Sequence, residues 1–194
     1  MLGLKLPTDP RWVNIVEKNI QEILTDHAYC EQKAASNAIT MIVKYPEFSD
    51  MVTEMTKIAT EEIQHFGMVH DFIIKRGWQL GQERKDEYVG DLMAFVQKGF
   101  QDKTKLLVDR LLFSALVEAR SCERFRLLSE EINDEELKQF YHELMVSEAK
   151  HYTVFLGLAR KYGEKVNVEK RWQEFLVHEA EVIKKYGVKE TMHG

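Results

Sequence analysis

Residues 144–155 read Leu-Met-Val-Ser-Glu-Ala-Lys-His-Tyr-Thr-Val-Phe. Apolar residues recur every three or four positions through and around this segment, a spacing typical of the buried face of an amphipathic helix. Where that face should be most apolar, the sequence instead has Glu148 and His151. Residues three apart lie on one helix face, so both side chains would point into the core. A buried carboxylate without a compensating charge is strongly unfavourable, but a single Glu-x-x-His pair on a helix arises mostly by chance, and only a second pair in the same phase demands such a charge.

A second Glu-x-x-His pair lies 86 residues earlier, where Glu62 and His65 interrupt the apolar stripe of another predicted helix. Two further carboxylates, Glu31 and Glu118, lie in the middle of the apolar stripes of two other predicted helices. They are 87 residues apart, so the pattern is an approximate internal duplication.

One Glu from each of two helices, with Glu-x-x-His from each of the other two, is the ligand pattern of di-iron and di-manganese ferritin-like bundles. Four carboxylates nearly neutralise two divalent ions, and oxygen with imidazole ligands suits iron and manganese. We therefore predict two iron ions that share one O₂. The predicted metal ligands, which are also the predicted catalytic residues, are Glu31, Glu62, His65, Glu118, Glu148 and His151.

Neighbouring residues leave some roles open. Glu61 is four residues from His65 and off the apolar stripe, so we interpret it as solvent-facing or as a contact of a ligand. His27 lies one turn before Glu31 and is either its partner or a core histidine, and we favour the core histidine. Cys30 and Cys122 are interpreted as small packing residues, because thiolates are poor ligands for an oxygen-activating site.

The sequence predicts an all-α fold, a ferritin-like four-helix bundle in a single domain over residues 1–194. With only 10 Gly and 3 Pro in 194 residues, long helices are favoured over a sheet with many tight turns. A long connection, Trp78–Gly90, separates the second and third long helices. Asp134 is a candidate N-cap and Gly77 a candidate C-terminal stop. The predicted long helices cover residues 12–45, 46–75, 104–132 and 134–162, with shorter helices at 91–100 and 168–186.

Composition narrows the class of protein further. The net charge of −5 argues against a broad basic surface for nucleic acid but leaves a local basic patch open. Two cysteines exclude a disulfide framework, a four-thiolate zinc site and a rubredoxin module. No apolar run is long enough to span a membrane, and the N-terminus lacks the apolar core of a secretory signal. We expect a cytoplasmic protein that does not contact a membrane.

Five segments resemble the MiaE family, the tRNA-(2-methylthio-N6-isopentenyladenosine) hydroxylases, and the resemblance covers about residues 1–185. The dimetal motif is shared across the ferritin-like superfamily, whereas the residues that flank it indicate this family. The segments are Leu-Gly-Leu-Lys-Leu-Pro-Thr-Asp-Pro-Arg-Trp at 2–12, Leu-Thr-Asp-His-Ala-Tyr-Cys-Glu-Gln-Lys-Ala-Ala-Ser at 24–36, Glu-Glu-Ile-Gln-His-Phe at 61–66, Leu-Val-Glu-Ala-Arg-Ser-Cys-Glu-Arg-Phe at 116–125 and Ser-Glu-Ala-Lys-His-Tyr at 147–152.

The resemblance implies a non-haem di-iron monooxygenase that hydroxylates the isopentenyl group of a hypermodified adenosine in the tRNA anticodon loop. It implies O₂ as co-substrate and an external electron donor such as a ferredoxin or reductase, since the chain has no flavin or Fe–S motif. The expected oligomeric state is a monomer or dimer. The alternative is a ferritin-like iron-storage or peroxide-detoxifying protein without a nucleic-acid substrate.

A tRNA substrate requires cations despite the negative total. We expect one of three basic clusters to contact phosphate, although a solvated face remains the simpler interpretation for each. The clusters are Arg160, Lys161, Lys165, Lys170 and Arg171; Lys103, Lys105, Arg110, Arg120, Arg124 and Arg126; and Lys75, Arg76, Arg84 and Lys85.

Overall fold

The protein was analysed as a computed structural model, which describes residues 2–96, 102–186 and 191–192. Within these ranges every regular element is a helix, so the predicted all-α class is confirmed. The helices are α1 Trp12–Lys18, α2 Ile20–Lys44, α3 Ser49–Lys75, α4 Glu87–Phe95, α5 Lys103–Glu131, α6 Glu135–Tyr162 and α7 Val168–Tyr186.

The chain divides into two compact units. The first, here called the α2–α3 unit, comprises Lys18–Lys85 and Glu190–Met192. The second, the α5–α6 unit, comprises Met1–Glu17, Asp86–Lys189 and His193–Gly194, and it contains α4, α5, α6 and α7.

In the α2–α3 unit, two long helices joined by four residues pack against each other as an antiparallel hairpin. The buried face of α2 includes Ala28, Ala35 and Ala38, and small side chains allow a close approach of the two helix axes. Helix α3 ends at Lys75 as predicted, and Gly77, which follows it, has a φ of 73° in the left-handed region that favours glycine.

The connection after α3 lies against α2. The Tyr29 hydroxyl donates to the Gly81 carbonyl at 3.0 Å, and the Gly81 amide donates to Thr25 Oγ1 at 3.4 Å. Lys33 Nζ lies 2.9 Å from Glu83 Oε1. These contacts hold residues 78–86, which are not helical. The sequence predicts a connection over Trp78–Gly90, and the structure confirms its first part, up to residue 86.

In the α5–α6 unit, α5 and α6 form a second antiparallel pair across a three-residue connection, and α7 packs on α5 and α4. Helix α5 has buried residues on nearly all of its faces, which identifies it as the central helix of this unit. Asp134 caps α6 as predicted, since its carboxylate accepts a hydrogen bond from the Leu137 amide at 3.0 Å.

Three predicted boundaries are wrong. The predicted helix over 12–45 is divided at Asn19, whose φ of −137° and ψ of 37° are not helical. The second long helix begins at Ser49 rather than at 46, because Phe48 still has a non-helical φ of −100° and ψ of 80°. The short helix begins at Glu87 rather than at 91, because the Asp86 carboxylate accepts from the Val89 amide and caps it. Residues 97–100 of that prediction lie outside the described residues.

Among the described residues, no helix is both long enough and apolar enough to cross a membrane.

Candidate metal centre

The α2–α3 unit brings together three of the predicted ligands. Glu31 of α2 and Glu62 and His65 of α3 are buried, with 4%, 0% and 8% of their surface exposed. His65 Nδ1 lies 3.2 Å from Glu62 Oε2 and 3.9 Å from Glu31 Oε2. One ligand atom from each residue lies within 4.8 Å of the other two, a spacing suited to a shared ion.

The α5–α6 unit holds an equivalent trio. Glu118 of α5 and Glu148 and His151 of α6 are buried, with 5%, 1% and 2% exposed. His151 Nδ1 lies 3.5 Å from Glu148 Oε2, and one ligand atom from each residue again lies within 4.8 Å of the others. Each unit therefore presents two carboxylates and one imidazole from two facing helices.

The donor chemistry of each trio fits a divalent metal ion. Two carboxylates a few ångströms apart repel each other strongly in a buried environment, so one would take up a proton or both would bind a cation. Carboxylate oxygen and imidazole nitrogen are the donors that iron and manganese accept. The i, i+3 spacing in α3 and in α6 places the carboxylate and the imidazole of each pair on one helix face.

His27 contacts a predicted ligand. Its side chain is fully buried, and its Nε2 atom lies 2.5 Å from Glu31 Oε1, one helical turn away. Of the two interpretations of His27, the structure supports a partner of Glu31 rather than the core histidine that we favoured from the sequence. A histidine that hydrogen-bonds a ligating carboxylate fixes the orientation of that ligand.

The other neighbouring residues agree with their interpretations. Glu61 is exposed and Cys30 is half-buried. The buried Cys122 thiol donates to the Met145 carbonyl at 3.4 Å. Burial raises the pKa of Cys122 to about 11, and the charges of Glu148 and Glu118 raise it further while Arg126 opposes them. The thiol therefore lies within electrostatic reach of two predicted ligands without being a thiolate.

Two arginines assigned to a basic surface are in the interior, so that part of the prediction is wrong. Arg120 is fully buried and Arg124 is 2% exposed. Arg120 Nη2 donates to Glu179 Oε1 at 2.6 Å and to the Leu6 carbonyl at 2.8 Å. The guanidinium of Arg124 lies over the Trp12 ring, 4.5 Å from its centroid. Neither residue can contact phosphate in this position.

This buried network was missed because its members are far apart in sequence. The Arg120 side chain also contacts Glu123 on its own helix, at 3.0 Å, and the Thr8 hydroxyl at 3.1 Å. The one available signal was that Arg120 and Arg124 lie in a segment of α5 in which most of the other residues are apolar or small. Arg171, from another predicted basic cluster, likewise pairs with Asp109 at 2.7 Å.

The fold and the buried carboxylate and imidazole donors place the chain in the class of ferritin-like helical proteins. The solved structure of a protein described as having aldehyde deformylating oxygenase activity, from Synechococcus, is similar with a TM-score of 0.91 and 30% sequence identity. The similarity covers 98% of this chain and 95% of that one.

Sequence comparison narrows the class to one family. The family model described as tRNA-(MS[2]IO[6]A)-hydroxylase (MiaE) matches residues 2–194, and the chain belongs to this family. A tRNA 2-(methylsulfanyl)-N(6)-isopentenyladenosine(37) hydroxylase from Pseudomonas putida is 37% identical, over 93% of this chain and 86% of that protein. The hydroxylase of the same name from Salmonella typhimurium is 26% identical, over 93% and 83% respectively.

Proposed function

We propose that this protein is an O₂-dependent monooxygenase that hydroxylates the isopentenyl group of N6-isopentenyladenosine, or of its methylthio derivative, in tRNA. The observation that carries this proposal is membership of the tRNA hydroxylase family over residues 2–194. Two relatives named for that reaction support it. They favour the hydroxylase over the alternative of iron storage or peroxide detoxification.

The cofactor in this proposal is a pair of iron ions in a single ferritin-like di-iron domain over residues 1–194. Support comes from the two buried trios, which offer the same donors at the same helical spacing. When bound, a di-iron centre supplies reductive activation of O₂ and insertion of one oxygen atom into an unactivated C–H bond. The ligands would be Glu31, Glu62, His65, Glu118, Glu148 and His151.

The protein groups contribute binding, orientation and exclusion of water. The low exposure of each predicted ligand keeps bulk water away from the donors, which strengthens their attraction for a cation. His27 holds the Glu31 carboxylate in one orientation through its contact at 2.5 Å. Ala35, one turn after Glu31 on α2, is buried and adds little side-chain volume next to that ligand.

The reaction requires partners outside the chain. One oxygen atom of O₂ enters the C–H bond, and the other leaves as water with two electrons and two protons. We propose that a ferredoxin or reductase supplies the electrons, since the sequence contains no flavin or Fe–S motif. The substrate partner is the anticodon loop of tRNA, with its hypermodified adenosine. We further propose that the protein is cytoplasmic and works as a monomer or dimer.

Hydroxylation of isopentenylated tRNA by the iron-loaded, reduced protein under O₂ tests this function. The digested product should contain a nucleoside that is one oxygen atom heavier, and ¹⁸O₂ should label that atom. The same tRNA without its isopentenyl group is the matched control and should yield no product. Absence of product from the wild-type protein with its full complement of iron would overturn the assignment.

The iron content separates the proposed function from the alternative. A monooxygenase should bind about two iron ions per chain. A storage protein would form a large cage that takes up hundreds of irons. A particle of many subunits with such an iron load, measured by light scattering and metal analysis, would support storage instead.

A further inference from the structure

One end of the α5–α6 unit brings together residues from two of the predicted basic clusters. Helix α5 begins at this end, α6 ends there, and α7 begins there after a five-residue connection. A Cβ atom at Gly163, just after α6, would lie 3.1 Å from Val108 Cγ2 of α5. Arg171 of α7 lies 2.7 Å from Asp109 of α5. These contacts place the start of α5 beside the end of α6 and the start of α7.

This end is positively charged, although the whole chain is negative. Residues 102–110 and 160–174 contain eight basic and five acidic residues, a formal charge of +3 against −5 for the whole chain. The exposed lysines at this end, called the basic end below, are Lys103, Lys105, Lys161, Lys165 and Lys170.

The arginines at this end, rather than the lysines, pair with most of its carboxylates. Arg171 binds Asp109 at 2.7 Å and Glu174 at 3.0 Å. Arg160 Nε lies 2.7 Å from Glu169 Oε1. Three of the five acidic side chains are therefore paired with two arginines, and the exposed lysines carry the excess positive charge.

The basic end lies about 20 Å from the predicted ligands of the same unit. Lys161 is 13 residues from Glu148 along α6, and Lys103 is 15 residues from Glu118 along α5. Each helical residue advances about 1.5 Å, which gives about 20 Å on both helices. A stem-loop RNA with one nucleotide at the predicted ligands extends over such a distance, so phosphates of other nucleotides can reach the lysines.

This separation favours RNA over an acidic protein that donates electrons. Electron transfer weakens steeply with distance, so a donor gains little by binding about 20 Å from the predicted metal ions. A nucleic acid needs only its target nucleotide at the centre. Its phosphates elsewhere supply much of the affinity and fix its orientation on the protein.

We propose that the basic end binds the phosphate backbone of the tRNA substrate, at nucleotides other than the one that is modified. Lysine suits this role because its ammonium group is a point charge that contacts phosphate oxygens in many orientations. Such contacts supply affinity without reading the modification. This inference rests on the proposed function, since it takes tRNA as the partner from the hydroxylase reaction.

Binding of isopentenylated tRNA to the iron-loaded protein without reductant tests the basic end without turnover. Fluorescence anisotropy at several salt concentrations gives the Kd and the slope of log Kd against log salt. Lys165→Gln/Lys170→Gln should raise the Kd about fivefold or more and reduce the slope by about two, one for each lost phosphate contact. Unmodified tRNA should lose affinity by the same factor, because these contacts do not involve the isopentenyl group.

Lys44→Gln/Lys184→Gln is the matched control. These two exposed lysines lie at the C-terminal ends of α2 and α7, so the variant loses the same net charge outside the basic end. It should retain the wild-type Kd and the wild-type slope. Both double variants should retain the wild-type melting temperature, because all four side chains are exposed.

An unchanged Kd in Lys165→Gln/Lys170→Gln would overturn the proposal. Equal losses of affinity in the two double variants would also overturn it, because they would show a general effect of net charge. Failure of the proposed function is a different result, namely the absence of hydroxylated product from the wild-type protein. A protein whose tRNA binding depends on Lys165 and Lys170 but which yields no product would retain the binding surface and refute the reaction.

Discussion

The predicted ligands are acidic or imidazole side chains that the fold buries almost completely. Such burial is tolerated only when a cation or a proton compensates the carboxylates. Each trio contains two carboxylates against one imidazole, so a bound divalent ion balances the charge better than protonation of the histidine does. For these individual residues, compensation of the buried carboxylate charges, rather than packing, determines whether the site is stable.

Removal of one carboxylate should reduce metal binding. Glu148→Ala deletes a ligand that is 1% exposed, so we expect iron content to fall from about two ions per chain to about one or fewer. Metal analysis after anaerobic loading measures this. Glu143→Ala on the exposed surface of the same helix is the control and should retain the wild-type iron content. Full iron loading of Glu148→Ala would contradict the ligand assignment.

Loss of the His27 contact should weaken metal binding without removing a ligand. In His27→Leu the Glu31 carboxylate loses the partner at 2.5 Å that orients it, and we expect the affinity for Fe²⁺ to fall about 10- to 100-fold. Competition with a chelator measures the affinity. His27→Gln can still donate a hydrogen bond and should recover part of the loss. Equal affinities of wild type and His27→Leu would show that His27 serves packing alone.

At the scale of the helix, two glycines of the α2–α3 unit have opposite roles. Gly67 lies inside α3 and Gly77 just after it, and a Cβ atom at either position would meet no atom within 4 Å. Steric space is therefore equal, and the backbone alone decides the effect of a side chain. Gly77 has a φ of 73°, whereas Gly67 has helical geometry.

The same substitution should change stability in opposite directions at these two positions. Gly67→Ala should raise the free energy of unfolding by about 0.5–1 kcal/mol, because alanine loses less backbone entropy in a helix. Gly77→Ala should lower it by about 1–2 kcal/mol, because an L-residue is strained in the left-handed region. Urea unfolding measures both. Changes of the same sign would mean that one of the two local conformations is wrong.

The helices were predictable where their periodicity is long, and less so at their ends. The fourth long helix ends at Tyr162 as predicted, and the predicted cap Asp134 marks its start. The break at Asn19 was missed because neither proline nor glycine marks it. The early start of α4 depends on one carboxylate, that of Asp86, and an isolated aspartate in a polar connection is a weak signal.

At the scale of the whole molecule, the net charge of −5 reflects the predicted site as much as the surface. Two divalent ions would bring the net charge to about −1, which weakens the repulsion between the protein and RNA.

The ligands were predictable because their spacing repeats along the chain. The buried Arg120 network was not, since Glu179 is 59 residues away from it and the Leu6 carbonyl 114. Contacts of that range depend on tertiary packing rather than on local pattern.

Arg120 joins the N-terminal segment to two helices of the α5–α6 unit. Its guanidinium contacts the Leu6 carbonyl and the Thr8 hydroxyl, Glu123 on α5, and Glu179 on α7. Arg120 and Glu179 are both fully buried, so loss of either one leaves an uncompensated charge in the interior. Removal of one partner of such a pair costs about 3–5 kcal/mol.

Arg120→Met should therefore lower the free energy of unfolding by about 3–5 kcal/mol, whereas the double variant Arg120→Met/Glu179→Met should lose less than the sum of the two single variants. Arg126→Met is the control on the same helix. Its ion pair with Glu130 is partly exposed, with 36% and 50% of the two side chains accessible, so its loss should cost about 0.5 kcal/mol. Urea unfolding of the iron-free proteins measures Arg120→Met, Glu179→Met, the double variant and Arg126→Met. Equal costs for Arg120→Met and Arg126→Met would show that the buried network does not stabilise this unit.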